Sequence, residues 1–230
     1  MKQVMLVTGA AGGIGAAVCD RMEQAGWHVV AADLIAPERP GADSSSVALD
    51  VTDSSAWESV VAQAMSAHGR IDALANVAGV VSRGGLEEVS DKEWERVIAV
   101  NQTGTFYGIR AVAGPMREAG RGSIVNISST AGMTGYVGSI PYVASKWAVR
   151  GMTKAAALEF GDQGVRVNSV HPGSIDTSMT RRLGPRQPIN RYGRPEEIAE
   201  LVHFLASDAS SFCTGSEFVA DGGSLAGIYR

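Results

Sequence analysis

Apolar residues along the chain fall into two alternating patterns. Short runs bounded by glycine or polar residues recur at 3–8 ("QVMLVT"), 28–33 ("HVVAAD"), 45–50 ("SSVALD"), 71–79 ("IDALANVAG"), 122–129 ("GSIVNISS"), 164–173 ("GVRVNSVHPG") and 215–223 ("GSEFVADGG"). Runs of this length predict strands. Between them lie stretches with helical spacing, at 13–26, 56–69, 90–116, 141–161 and 195–207. In the first, Ile14, Val18 and Met22 form one stripe. Ser54 or Ser55 is a candidate cap for the second, and Ser90 with Glu93 has the form of a capping box before the third. Pro141 suits the first turn of the fourth.

Strands joined by helical crossovers imply a parallel sheet with both faces covered. No linker, repeat or low-complexity stretch breaks the alternation, so residues 1–230 are expected to form one doubly wound α/β domain with a mostly parallel seven-stranded sheet. Only the stretch around 181–195 lacks periodicity, and 174–194 is expected to be a loop or lid.

Composition narrows the function classes. The chain is 45% hydrophobic and 19% charged, enough to bury a full core. Its net charge of −4 includes no basic block, which argues against nucleic acid as a partner. No apolar run has the length of a signal sequence or a membrane span, and the two cysteines, Cys19 and Cys213, make no disulfide framework. A soluble cytoplasmic protein is expected. The four histidines and two cysteines form no ligand cluster, so no metal is expected.

Two stretches carry chemistry. "TGAAGGIG" (8–15) lies where the first strand should meet the first helix, with Gly9, Gly13, Ile14 and Gly15 at the turn. It can be a bare turn, or a cradle where free helix N–H groups meet a pyrophosphate. Asp33 ends the second strand near the distance expected of a ribose-binding carboxylate. No basic residue directly follows it, so it would accept from ribose hydroxyls and repel a 2′-phosphate. This order favours a dinucleotide, and NAD as the cofactor. The second stretch is "YVASK" (142–146), which puts Tyr142 and Lys146 one helical turn apart. They can be surface decoration, or an acid and the cation that tunes it.

With "NVAG" (76–79), Asn101, "ISS" (127–129), "HPGSIDT" (171–177) and "DGG" (221–223) in this order, nearly the whole chain resembles the short-chain dehydrogenase/reductase family. The resemblance implies roles. Tyr142 would be the acid/base, Lys146 its electrostatic partner, and Ser129 the hydrogen-bonding group for the substrate oxygen. Asn101 would hold a water linking Lys146 to solvent. Asp50 and Val51 would approach the adenine. Asn76, Ala78 and Gly79 would pack beside the cofactor. Pro172, Gly173, Ile175 and Thr177 would approach the nicotinamide. A phenol titrates near ~10, so the lysine and the nicotinamide charge would be needed to favour phenolate.

The expected reaction is hydride transfer between NAD(H) and a small or medium secondary alcohol or ketone, with a ring such as a dihydrodiol or hydroxysteroid as the expected substrate. Met133, Tyr136 and Met179, with Val137, Ile140, Leu183 and Ile189, would wall the substrate. Arg181, Arg182, Arg186, Arg191 and Arg194 could meet an acidic group on it. The alternative is a 3-oxoacyl-[acyl-carrier-protein] reductase, which Asp33 and the absence of a basic residue at Gln163 oppose. A non-catalytic NAD-sensing protein would be expected to lack the Ser-Tyr-Lys set. The family resemblance also implies a homo-oligomer, a tetramer, with Phe106, Val112, Trp147, Met152 and Leu158 between subunits.

Overall fold

A computed structural model describes residues 2–39, 41, 43–180 and 187–227. Its strands are β1 (Val4–Thr8), β2 (His28–Asp33), β3 (Ser44–Ala48), β4 (Ala73–Asn76), β5 (Gly122–Ile127), β6 (Val165–Pro172) and β7 (Glu217–Ala220). All pair in parallel, in the order β3-β2-β1-β4-β5-β6-β7. The helices are α1 (Gly13–Gln24), α2 (Ser54–His68), α3 (Asp91–Ile98), α4 (Gly104–Glu118), α5 (Ile140–Phe160) and α6 (Pro195–Ala206).

Alternation along the strands divides the core into two layers. Val4, Leu6, Val30, Leu74 and Ile124 face Trp57 and Val60 of α2, Ile109 and Met116 of α4, and Phe160 of α5. Met5, Val7, Val29, Ala75 and Val125 face Val18 and Met22 of α1 and Ile198, Val202 and Leu205 of α6. After β1 the chain builds β2 and β3 to one side and then crosses to β4 on the other. Strand order therefore reverses between β1 and β4, and open α/β sheets place ligands at the carboxyl ends of the strands flanking such a point.

The structure departs from the sequence pattern at several points. The expected helix over 90–116 is three pieces, because Ala99–Thr103 widens into a π turn between α3 and α4. Ser90 caps α3 by accepting from Glu93 N at 3.2 Å, but the Glu93 carboxylate binds Arg96 instead of closing the box. Asp53, not Ser54 or Ser55, caps α2 by accepting from Ser55 N and Ala56 N. Val112 is buried in this subunit's own core and is not available to a neighbour, and Met152 packs against that same core. Phe106, Trp147 and Leu158 stay 44%, 45% and 87% exposed. No helix among the described residues is long and apolar enough to cross a membrane.

Two glycines of α4 give a test of packing. A Cβ on Gly108 would meet Asn76 Oδ1 at 2.3 Å and the Trp57 ring at 2.8 Å, whereas one on Gly114 would meet nothing within 4 Å. Gly108→Ala is expected to cost about 1–3 kcal/mol through overpacking. Gly114→Ala should gain up to about 1 kcal/mol from helix propensity. Thermal melts should therefore move in opposite directions. A matching rise for both would contradict the packing described.

Candidate active site

The carboxyl ends of β1, β2, β4, β5 and β6 open on one cleft of 410 Å³. Its floor is the turn from β1 into α1. Gly9 and Gly13 have positive φ of 67° and 54°. A Cβ on Gly9 would press on the Ala78 backbone at 2.9 Å, and one on Gly15 would strike the Gly9 carbonyl at 2.0 Å. Only hydrogen lets this turn pack so closely. The first turn of α1 has no side-chain cap and no acidic residue, so its N–H groups are left for an anion. This cradle suits the pyrophosphate of a dinucleotide.

Asp33 borders the cleft at the end of β2. Its Oδ2 accepts from Ala11 N at 2.9 Å and its Oδ1 from Leu34 N at 2.8 Å, which ties the glycine turn to β2. Asp50 also lines the cleft while accepting from Thr52 N and Oγ1, so it is both a turn former and a wall residue. Val51, Ala78, Gly79, Pro172, Gly173, Ile175, Thr177 and Met179 line it with Ile14 and Gly15. Thr8 Oγ1 accepts from Val77 N at 3.0 Å and Ala78 N at 3.1 Å, pinning the β4 exit to β1. Sequence reasoning missed Thr8. It also missed Leu34, Val80, Val100, Ser178 and Thr180 on the wall, whose residue types carry no signal of their own.

Ser129, Tyr142 and Lys146 meet at the opposite end. Lys146 is only 4% exposed, and its Nζ donates to Ile127 O at 2.9 Å, 5.6 Å from the Tyr142 ring centre. Burial lowers the Lys146 ammonium to about 8. Burial also raises the Tyr142 phenol, while its hydrogen bond with Ser129 pulls it back. The Ser129 hydroxyl accepts from Ala131 N at 3.1 Å. Ser128, one residue earlier, turns away and donates to the Lys146 carbonyl at 3.0 Å.

Four expected site residues lie off the wall. Asn101, fully buried in the π turn, donates to Val80 O at 2.9 Å and Ser145 Oγ at 3.0 Å and accepts from Val80 N at 2.8 Å. Its carbonyl oxygen lies beside Gly79, as does Lys146 Nζ, so it stands behind the lysine. Asn76 is buried and donates to Asn126 Oδ1 at 2.8 Å, bracing β4 on β5 instead of facing the cleft. Met133 and Tyr136 sit beyond Ser129 and are absent from the wall. The Tyr136 hydroxyl bonds Thr130 Oγ1 at 2.9 Å.

The 174–194 segment is pinched at its base, with Asp176 N donating to Gly193 O and Gly193 N to Ser174 O. Arg191 forms a two-pronged pair with Glu197 at 2.8 and 2.7 Å, and Arg194 N donates to the same carboxylate at 2.7 Å. Arg191 is therefore committed to the base of the segment and not to a substrate. Arg181, Arg182, Leu183 and Arg186 lie outside the described residues.

A family model described as Enoyl-(Acyl carrier protein) reductase matches residues 9–224, and the chain belongs to the short-chain dehydrogenase/reductase family. It is an oxidoreductase acting on CH–OH groups with a nicotinamide cofactor. A 3-alpha-(or 20-beta)-hydroxysteroid dehydrogenase of Mycobacterium tuberculosis is 45% identical over 235 residues, covering 98% of this chain and 90% of that protein. The trans-4-hydroxycyclohexanecarboxylate dehydrogenase of Sinomonas cyclohexanicum is 41% identical over 244 residues, covering 98% and 94%. The ligand-free aldohexose dehydrogenase of Thermoplasma acidophilum superposes with a TM-score of 0.94 at 33% identity, covering 100% and 96%.

The buried lysine predicts a stability cost. An unfolded lysine titrates near 10.5, and Lys146 near 8. Below pH 8 both states hold the proton and the fold bears a buried charge. From pH 8 to 10.5 the unfolded chain binds more protons, so stability rises with pH. Lys146→Met in the cofactor-free protein should melt several degrees higher at pH 7, with the gain shrinking over that window. A lower melting temperature at pH 7, or a gap that ignores pH, would contradict this.

Proposed function

We propose that the protein interconverts a cyclic secondary alcohol and its ketone with NAD(H), using Tyr142 as the proton carrier. The observation that carries this reading is the meeting of Ser129, Tyr142 and Lys146 at the end of the cleft away from Asp33. The glycine turn would hold the pyrophosphate, Asp33 and Asp50 the adenosine end, and Pro172, Gly173, Ile175 and Thr177 the nicotinamide end. Bound nicotinamide supplies the hydride acceptor or donor. The chain's own residues do the rest. Ser129 holds the substrate oxygen. Tyr142 takes its proton in oxidation and returns it in reduction, and Lys146 stabilises the phenolate that oxidation needs. Asn101 steadies the lysine's surroundings and is a candidate to hold a water behind it.

NAD over NADP is supported by Asp33 and by the wall itself, where Lys146 is the one basic residue among those described. A carboxylate at the ribose with no facing arginine disfavours a 2′-phosphate. The same feature opposes the acyl-carrier-protein reductase reading. A cyclic substrate is supported by two relatives named for steroid and cyclohexane alcohols. Of Met133, Tyr136 and Met179, Met179 is the one that lines the cleft, so it is read as the apolar contact with the substrate beside Ser129 and Tyr142. The 174–194 segment, hinged at its Ile175–Gly193 bridge, is read as the lid. The free, buried Cys19 fits a reducing cytoplasm.

Initial rates with cyclohexanol, a hydroxysteroid, an open-chain secondary alcohol and trans-4-hydroxycyclohexanecarboxylate test the reading. With NAD, kcat/KM should exceed that with NADP by at least about tenfold, and the rings should outrun the open chain. Equal cofactors, or an open-chain preference, would contradict it.

A homotetramer is supported by the exposed Phe106, Trp147 and Leu158 on α4 and α5, more apolar surface than one subunit covers. Light scattering should return four subunit masses, and Leu158→Asp should lower that number. A monomer mass for the parent would contradict it.

A further inference from the structure

One titratable side chain at the site takes no part in the chemistry above. His171, near the end of β6, is fully buried. Its Nδ1 lies 3.0 Å from the main-chain oxygen of Ser129, and its Nε2 lies 2.8 Å from Ser169 Oγ. A carbonyl only accepts, so Nδ1 carries the proton and donates. In the neutral ring Nε2 then accepts from the Ser169 hydroxyl. Glu217 of β7 and Arg150 of α5 are the charged pair nearest it besides Lys146, and they bind each other at 2.5 Å. With both nitrogens committed, the imidazole acts as a strut.

The far end of that strut is the site serine. Pairing of β5 with β6 stops at Ile127 opposite Val170, with Ser128 N donating to Val170 O at 2.8 Å as the last rung. Ser129 lies one residue beyond. Its carbonyl accepts twice, from Gly132 N at 2.9 Å and from His171 Nδ1. The Gly132 bond closes only a local turn. The imidazole is thus what ties the Ser129 peptide across to β6. His171 also directly precedes Pro172 and Gly173, which line the cleft. The ring therefore joins the turn on the nicotinamide side to the serine on the substrate side.

We propose that His171 is a positioning residue: its Nδ1–H fixes the Ser129 main chain, and with it the Ser129 hydroxyl, in register with the Pro172–Gly173 turn. This rests on the reading of Ser129 given above. Misplacing a reacting group by about 1 Å can cost on the order of 100-fold in rate. The amide of an asparagine reaches nearly the place of Nδ1 and can donate to the same carbonyl. Leucine fills the volume without a donor, and glutamine carries its donor too far out.

The test compares steady-state oxidation of cyclohexanol, or of a hydroxysteroid if that is faster, with NAD. The variants are His171→Leu, His171→Gln, His171→Asn, Ser129→Ala and the Ser129→Ala/His171→Leu pair. His171→Leu should lower kcat about 10- to 100-fold while KM for NAD moves less than about threefold. His171→Gln should behave like it and decides the matter if the leucine variant does not fold. His171→Asn should recover kcat to within about fivefold of the parent. The double variant should be no slower than Ser129→Ala alone, because the histidine acts through the serine. Parent-like kcat in His171→Leu or His171→Gln overturns the proposal. So does a loss in His171→Asn as deep as theirs, or a double variant slower by the product of the single losses. A parent-like Ser129→Ala overturns the serine's role itself, and the positioning role with it, which separates that failure from the others.

Discussion

The site depends on a buried ammonium. Lys146 reaches from α5 to the carbonyl of Ile127, the last residue of β5, and almost no solvent reaches it. That bond joins the helix to the strand end at the site. Tyr142 then stands one turn earlier along α5, and Ser129 two residues past the same strand end. A charge in such a place costs stability unless neighbours offset the lost hydration. The surroundings are correspondingly closed: Ser128 holds the Lys146 carbonyl, and Asn101 fills the space behind with its side-chain bonds made to Val80 and Ser145. Buried polar groups gather where the chemistry is read to occur, as expected when local stability is given up for function.

Much of this was legible in the sequence because it follows short-range rules. The short apolar runs located all seven strands, and the helical crossovers between them implied the parallel sheet. The spacing of Tyr142 and Lys146 on one helical face needs only helix geometry. What the sequence hid was long-range. Nothing in "IAVNQTG" announces a π turn, and the partner its Asn101 bonds there is the Val80 backbone, 21 residues away. Val112 reads like an interface residue because helical periodicity cannot tell a core layer from a subunit contact. Asn76 sits beside glycine and alanine that do line the cleft, yet strand alternation turns it inward to Asn126. Met133 and Tyr136 follow the site serine closely in sequence, but the short 3₁₀ turn Thr130–Gly132 carries them past the wall.

The two ends of the cleft do different work. At the β1–β2 end, backbone N–H groups and two carboxylates present the shape and charge pattern proposed to hold the cofactor. At the β5–α5 end, the ammonium donates to a main-chain oxygen, the serine hydroxyl accepts from a main-chain N–H, and the phenol bonds that hydroxyl. The turn after β6 spans both. On the proposed reading, bonds that fix this turn bear on cofactor and substrate together, and the His171 strut acts there through its Nδ1–H bond without exchanging a proton with the substrate.

The central claim is that Tyr142 exchanges the proton with the substrate oxygen. Tyr142→Phe keeps the ring and removes only that hydroxyl. Loss of a positioned acid/base is worth about 10²- to 10⁴-fold in rate. The decisive measurement is single-turnover oxidation of a cyclic secondary alcohol by the phenylalanine variant, with NAD affinity measured in parallel by fluorescence titration. The account predicts a rate lower by at least about 100-fold with affinity for NAD within about threefold of the parent. A variant that turns over within a few-fold of the parent would contradict it.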